Sequence, residues 1–531
     1  MNILKGLSGI FLATLVCTSC LTPKDDTIYN PACGEGYYIL TPPISSACRI
    51  NGPEVFGVRP GHPFLYAIPV TGDRPLSIRA EGLPQGLTLN SKTGMITGVI
   101  KDKSIRNYPV KLTATNEKST ATKAFEIKVG EEICLTPPMG WSSWICTKKD
   151  VSQDKVMANA KAMVRLGLNN YGYHYVNIDD AWQGNIRGGD YNSIQPNLEK
   201  FPDVKQMISD LHAMGLKVGI YSTPWISSYA GFIGGSSNTK EGTWNSSMLL
   251  DFKIKTIEGK ASRLGSYKFD KNEAKQWAAW GIDYMKYDWN PNDSASIVRM
   301  AKALRESGRD IVFSISNSCP MSEGILCSKA VQVFRTGGDI RARWDSDNGA
   351  HINLCDNWNH HNQWLKEGFS GAPGHIPDPD FMMVGLQKYG SQDSMTVDEI
   401  YHHVSSYVLW GAPLLLSTQL DKLSPFEMNL LTNVEMLAID QDRLARPARL
   451  VYRANGIEVL AKDLANGEKA FGVFNFNEQA TDATLDWTTL GLTKPKYLRD
   501  VWRQKDIGLY THQFKVKVRR HGCVVIRTRK K

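Results

Sequence analysis

The sequence predicts an α/β fold: a parallel (β/α)8 TIM barrel with an all-β domain before it and an antiparallel β-sandwich after it. Three observations carry this expectation. Short apolar runs alternate with amphipathic helical segments between about residues 134 and 445, the pattern of repeated strand–helix units. On either side of that region hydrophobic residues recur with a period of two, as in half-buried strands. The chain has 531 residues, too many for one ordinary domain.

Taken in order, the N-terminus comes first. Lys5 supplies a positive charge, and Leu7 to Val16 form a short apolar run, well under the roughly 20 residues of a membrane span. The segment Leu15-Val16-Cys17-Thr18-Ser19-Cys20 resembles a lipobox, in which small residues precede a cysteine that is lipidated after cleavage. Residues 1–20 are therefore read as a lipoprotein signal peptide with Cys20 as the lipidation site. Thr22-Pro23-Lys24-Asp25-Asp26 is read as a polar tether. The expectation is an exported cell-envelope lipoprotein, touching the membrane through a lipid anchor only. Residues 21–50 are rich in Pro, Cys and turn formers and read as a linker or small cap. Of ten cysteines, Cys33 with Cys48 and Cys319 with Cys327 lie close enough in sequence to pair in an oxidising compartment. No CxxC or His/Cys cluster suggests a metal, and His402-His403 reads as a helix surface feature.

In residues 51–130, Val110, Leu112 and Ala114 alternate with other residues, as do Phe125, Ile127 and Val129. Asp73-Arg74-Pro75 and Thr93-Gly94 mark turns. With Gly82-Leu83-Pro84-Gln85-Gly86-Leu87-Thr88-Leu89, Thr93 to Gly98 and Thr113 to Asn116, this segment resembles immunoglobulin-like domains. Such domains act as spacers, and no chemistry is assigned to it. In residues 134–445 strands are expected at Tyr175 to Ile178, Val218 to Tyr221, Ile282 to Tyr287, Ile311 to Ile315, Val331 to Phe334 and Leu414 to Leu416. Helices are expected around Val204 to Met214 and Ala295 to Leu304. A doubly wound sheet is the rival, but no Gly-rich phosphate loop follows the first strand. In residues 446–531, Ala470 to Phe474, Phe514 to Val518 and Cys523 to Ile526 read as the strands of a C-terminal sandwich.

Hydrophobic residues make up 42% and charged residues 22%, the balance of a soluble globular chain. The net charge of +9 is spread along the chain, clustering only at Arg519, Arg520, Arg527, Arg529, Lys530 and Lys531. A nucleic-acid binder concentrates charge on one face, so nucleic acid is not an expected partner. Fourteen Trp and twenty Tyr include rings able to stack on sugar faces, though most read as core.

In a barrel the site lies at the C-terminal ends of the strands. The residues there are Asp179-Asp180, Tyr221, Asp288, Ser316, Asp339 and Asp378-Pro379-Asp380. A single Asp after a strand is often a helix cap. A run of them at one end points instead to a shared pocket. Two carboxylates flanking a bond are what glycoside hydrolysis needs, and no Cys/His or Ser/His arrangement competes. This reading leaves open which Asp does what.

Leu135-Thr136-Pro137-Pro138-Met139-Gly140-Trp141-Ser142-Ser143-Trp144 is very similar to the opening of family 27 glycoside hydrolases, the α-galactosidase and α-N-acetylgalactosaminidase group. Further similar motifs follow in order: Tyr175 to Trp182, Lys217 to Ser222, Trp280 to Asp288, Arg335 to Ile340, Asp378-Pro379-Asp380, Ala438 to Asp442, Arg499 to Trp502 and His521-Gly522. The resemblance implies Asp288 as nucleophile and Asp339 as general acid/base. It implies Arg335 and Lys286 on sugar hydroxyls, and Asp179 and Asp180 on those of carbons 4 and 6. Trp144 and Tyr221 become aromatic walls, and Asp380 a further pocket acid. Strand alternation puts Lys286 and Asp288 on one face. No cofactor and no metal is implied.

The sequence departs from the family pattern in three places. Asn290 and the Cys-free stretch Ser222 to Gly235 replace a disulfide and rebuild the rim. Ser316 stands where Glu is usual near the carbon-2 hydroxyl, leaving space for an acetamide, a water, or Trp225 or Trp289. His375-Ile376-Pro377 alters the pocket wall. The expected function is retaining exo-hydrolysis of terminal α-D-galactosyl residues. The alternatives are α-N-acetylgalactosaminidase or β-L-arabinopyranosidase activity and, from another class, a non-catalytic surface glycan-binding lipoprotein. Asp180 favours galactose, because a sugar without carbon 6 would leave it unpartnered.

Overall fold

The computed structural model describes residues 22–245, 263–317, 319–345, 351–369, 373–385 and 394–529. The segment 1–20, read as a signal peptide, and Cys20, read as a lipidation site, lie outside the described residues.

Eight short parallel strands form the centre: β1 (Met139–Ser142), β2 (Tyr175–Asn177), β3 (Lys217–Ser222), β4 (Tyr284–Asp288), β5 (Val312–Ser316), β6 (Val333–Arg335), β7 (Ile376–Asp378) and β8 (Leu414–Leu416). They pair in the order 7-6-5-4-3-2-1-8. The seam between β7 and β8 is bridged by the Met382 N–H, which donates to the Leu415 carbonyl at 2.9 Å. Helices follow the strands: α1 (Gln153–Arg165), α2 (Val204–Ala213), α3 (Asp270–Trp280), α4 (Ser294–Arg305), α5 (Gly324–Ala330), α6 (Leu354–Lys366), α7 (Val397–Trp410), α8 (Pro425–Leu431) and α9 (Val434–Asp440). Several start where the sequence supplies a capping side chain: Ser152, Asp203, Asp293 and Asn353 each accept from a backbone N–H in the first turn. This is the expected barrel. Strands β1 and β7 were not read as apolar runs, because they carry Gly140 and Ser142, and Pro377 and Asp378.

The helix α7 lies between the barrel and the sandwich, and every residue from Tyr401 to Trp410 is buried. That corrects the reading of His402-His403 as a surface feature. His402 Nδ1 lies 3.1 Å from the His521 carbonyl, and His403 Nε2 accepts from the Met383 N–H at 2.9 Å. Among the described residues neither histidine belongs to a group that could hold a metal, and each is held neutral by burial.

The N-terminal β-domain is a four-stranded sheet (Val55–Val58, Thr120–Val129, Arg106–Thr115, Ser77–Glu81) facing a three-stranded one (Pro63–Ala67, Met95–Val99, Leu87–Leu89). All six alternating residues read from the sequence, Val110 to Ala114 and Phe125 to Val129, are in its core. It is more than a spacer: it caps the barrel end opposite the strand C-termini. Arg59 donates its backbone N–H and guanidinium to Asp310, His62 meets the same carboxylate at 2.9 Å, and the Lys217 ammonium lies 4.3 Å from the Phe56 ring centroid.

Residues 22–50 are not a free linker either. Ile28–Tyr29 adds a parallel strand to the sandwich beside Gln513–Val518. The supposed tether residue Asp25 is buried and accepts from the N–H groups of Thr511, His512 and Gln513. The rest of the sandwich is a six-stranded antiparallel sheet from Arg449 to Arg529, with Thr481–Asp486 completing the smaller sheet. The eight described cysteines are unpaired. Cys48 packs in the β-domain core and Cys33 against the barrel core, so the Cys33–Cys48 pairing that the sequence allowed is not seen. Cys319 and Cys327 are thiols with sulfurs 2.8 Å apart.

Candidate active site

Alternation along β4 turns Lys286 and Asp288 to the barrel interior. The register sets Asp288 beside Ser316 and Arg335 beside Asp378. These side chains open into a cavity of about 220 Å³ at the C-terminal mouth, lined also by Trp144, Asp179, Asp180, Asn317, Asp339 and Asp380. The lining comes from the ends of β1 to β7, so it is a pit ringed by the barrel mouth.

Its floor is a charged lattice. Lys286 Nζ donates to Asp179 at 2.8 Å. Burial alone would depress the ammonium, but the Asp179 and Asp288 carboxylates outweigh it and keep Lys286 protonated. Arg335 pairs with Asp380 at 2.9 Å and Asp339 at 3.2 Å. Asp380 also accepts the Ile340 N–H at 2.9 Å. Burial pushes Asp380 up to about 6 against the pull of Arg335.

Asp288 and Asp339 sit differently. Asp288 is buried, and the side chain of Asp339 is half-exposed. Burial raises Asp288 to about 7, opposed by Lys286 and reinforced by the neighbouring Asp339 charge. Burial also raises Asp339, but the Arg335 and Lys286 charges outweigh it and hold its carboxyl below the usual range. In the empty cavity one proton therefore resides mainly on Asp288, as expected of two carboxylates sharing a site.

Asp180 is buried and already satisfied. It accepts from the Ala181 N–H at 2.7 Å, Gln183 Nε2 at 3.2 Å and the Ala230 N–H at 2.8 Å. The last donor belongs to a tight hairpin, Ser227 to Ile233, that turns through Gly231 at φ 88°. This hairpin is the rebuilt rim anticipated from the Cys-free stretch, and it puts Tyr229 on the cavity wall.

Nine of the ten expected site residues with described positions line this cavity: Trp144, Asp179, Asp180, Lys286, Asp288, Ser316, Arg335, Asp339 and Asp380. The exception is Tyr221. It lies one layer back, buried, with its ring centroid 5.6 Å from Lys286 Nζ. Trp225 and Trp289 are buried behind the wall rather than filling it. His375 does not alter the wall. It sits at the start of β7, at the other end of the barrel, bonded to the Val331 carbonyl and facing Glu132. Sequence reasoning missed Tyr229 as a wall residue and Asn317 as a partner of Asp288. Asn317 adopts φ 68° and its Nδ2 donates to Asp288 Oδ1 at 2.5 Å. An Asn directly after a strand-end residue, free to adopt a left-handed conformation, was the available signal.

Comparison with known proteins converges on one family. Residues 136–244 and 240–442 match the family model described as Alpha galactosidase A. Residues 454–528 match the Alpha galactosidase C-terminal beta sandwich domain, and residues 47–130 match an Ig domain. An α-galactosidase of Oryza sativa subsp. japonica is 30% identical over 409 residues, covering 76% of this chain and 85% of that protein. Alpha-galactosidase A of Cellvibrio japonicus is 28% identical, covering 75% and 93%. A crystal structure from Bacteroides fragilis NCTC 9343, provisionally described as an α-galactosidase, superposes with a TM-score of 0.80. It has 29% identity and covers 91% of this chain and 98% of that one. With the two-carboxylate cavity at the barrel mouth, these matches show that the chain is a glycoside hydrolase and belongs to the α-galactosidase family, family 27.

Proposed function

We propose that the protein removes terminal α-D-galactosyl residues from oligo- or polysaccharides with net retention. Asp288 attacks the anomeric carbon and forms a glycosyl-enzyme. Asp339 protonates the leaving oxygen and then deprotonates the incoming water. The observation that carries this reading is the unequal placement of the two carboxylates in one pit. Asp288 lies at the floor beside Lys286, held by Asn317. Asp339 stands at the half-exposed mouth, where a leaving group departs and water enters. The resting proton on Asp288 must move to Asp339 when substrate binds. The Lys286 charge and the positive centre developing at the anomeric carbon favour an ionised nucleophile against the burial that opposes it. A pit ringed by seven strand ends admits a chain end rather than a chain middle, which supports exo action.

A second reading has one observation behind it. Asp180 already accepts three protein donors, so a pyranose lacking the carbon-6 hydroxyl strands no buried acceptor. This removes the sequence argument against β-L-arabinopyranose. Assays of p-nitrophenyl α-galactoside, α-N-acetylgalactosaminide and β-L-arabinopyranoside side by side decide: the α-galactoside should have the highest kcat/KM. A higher value on the arabinopyranoside would establish the second reading, and turnover of none would favour a glycan-binding lipoprotein.

We also propose that Cys20 carries a lipid and anchors the protein in the cell envelope. Replacing Cys20 with Ser should release the protein from the membrane fraction and abolish fatty-acid labelling; continued labelling would refute the assignment.

A further inference from the structure

His521 belongs to the C-terminal sandwich, yet its ring stacks on Trp344, a residue of the loop that carries Asp339. The ring centroids are 4.0 Å apart and the planes 15° from parallel. Phe476 of the same sandwich and His402 of α7 complete the enclosure of the indole, at 5.5 and 5.0 Å. His521 is fixed from both edges. Nδ1 lies 2.7 Å from Glu399 and Nε2 3.0 Å from Glu478. Each ring nitrogen thus has a carboxylate oxygen within hydrogen-bonding distance. The Arg520 guanidinium, also on Glu478, completes the set of charged groups around the ring. The backbone supports the same pose, since His521 adopts φ 51°. Glu399 is itself locked in the capping box of α7.

From Trp344 the connection to Asp339 is short and hydrogen-bonded. The Trp344 carbonyl accepts the Cys355 N–H and the Arg343 carbonyl accepts the Leu354 N–H, which seats the loop on the first turn of α6. Ile340 bridges Ile352, whose N–H donates to the Asp339 carbonyl at 2.9 Å. On the barrel side the loop is tied through the Ile340 N–H to Asp380 and through Arg335. The segment from Asp339 to Trp344 is thus clamped at both ends, by pocket carboxylates at one and by the sandwich at the other.

We propose that His521 is a positioning residue for the general acid/base: through Trp344, the sandwich sets where the Asp339 carboxyl stands over the cavity. The inference rests on the acid/base role of Asp339 proposed above. A small displacement of a proton-transferring group costs about 10²-fold, and the loss falls on substrates whose leaving group needs protonation.

The test compares wild type, His521→Ala and His521→Phe on two aryl α-galactosides, one with an acidic leaving phenol and one with a weakly acidic one, alongside thermal melts. His521→Ala should lower kcat/KM about 10-fold or more on the weakly acidic leaving group and less than about 3-fold on the acidic one. His521→Phe, which restores a stacked ring, should recover most of the difference. Equal losses on both substrates, or melting-temperature loss without kinetic change, would overturn the proposal by showing a merely structural contact. Should His521→Ala not fold, Trp344→Phe is read on the same two substrates with the same criteria. Asp339→Ala serves as the control. If that variant shows no dependence on leaving group, the acid/base assignment itself fails, independently of His521.

Discussion

Asp288 and Asp339 differ in their access to water and in the cations each meets, and the difference sets their titration. The pair holds one proton between a limit below the ordinary carboxylate range and about pH 7. The proposed chemistry requires one shared proton, so kcat/KM on an aryl α-galactoside should fall as pH rises through about 7. A plateau reaching well beyond pH 8 would contradict this. Removing Asn317 takes a donor from the ionised form of Asp288. Asn317→Ala should therefore raise that carboxyl further, move the alkaline limb upward, and lower kcat/KM by roughly 10-fold or more. An unmoved limb would mean that the hydrogen bond does not act on Asp288. Stability changes in the same direction. The Asp288 carboxyl is raised in the fold, so its contribution is full below about 3.8 and is lost as pH rises through about 7. Asp288→Asn should thus raise the melting temperature more at pH 8 than at pH 4.5.

At the scale of elements, the loops after β2 and β3 depend on one buried ion pair. Arg187, on the hairpin strand Gln183–Gly188, meets Glu273 of α3 at 2.7 Å with both side chains buried. Ser222 at the end of β3 donates to the same carboxylate at 3.1 Å. Arg187→Met leaves Glu273 charged and unpaired, which should cost about 3–5 kcal/mol, read from denaturant unfolding. A change under about 1 kcal/mol would show the pair to be dispensable. Elements also separate what the sequence could reveal from what it could not. Lys286 and Asp288 were legible because strand alternation is local. The interior strands β1 and β7 were not, because residues facing a polar pit need not be apolar. The burial of His402-His403 was hidden because α7 is covered on both faces, which no single-helix period records. Tyr229 reaches the pit only through a hairpin whose anchor, Asp180, is 50 residues away in sequence.

At the scale of the molecule, the barrel is held from two directions. The N-terminal β-domain covers its floor, and residues 22–50 bind the sandwich, which in turn grips α7 and the Asp339 loop. The order of domains was legible from periodicity. Their docking was not, because it rests on pairs distant in sequence such as Arg59 with Asp310 and Asp25 with Thr511. A chain starting at residue 131 loses a sandwich strand and uncovers Lys217 and Asp310. It should melt at a lower temperature than the full chain, yet keep turnover on a small aryl glycoside wherever it remains folded, since the pit faces the other way. Full stability after truncation would show that the contacts with the β-domain and with residues 22–50 contribute little.

The division of labour between the two carboxylates is tested most directly by azide rescue. With Asp339→Ala and an aryl α-galactoside bearing an acidic leaving group, the glycosyl-enzyme should still form. Azide should then restore turnover and yield α-galactosyl azide, with the configuration retained. Asp288→Ala should give no retained product. Retained azide product from Asp288→Ala, or inverted product from Asp339→Ala, would contradict the assignment of the two roles.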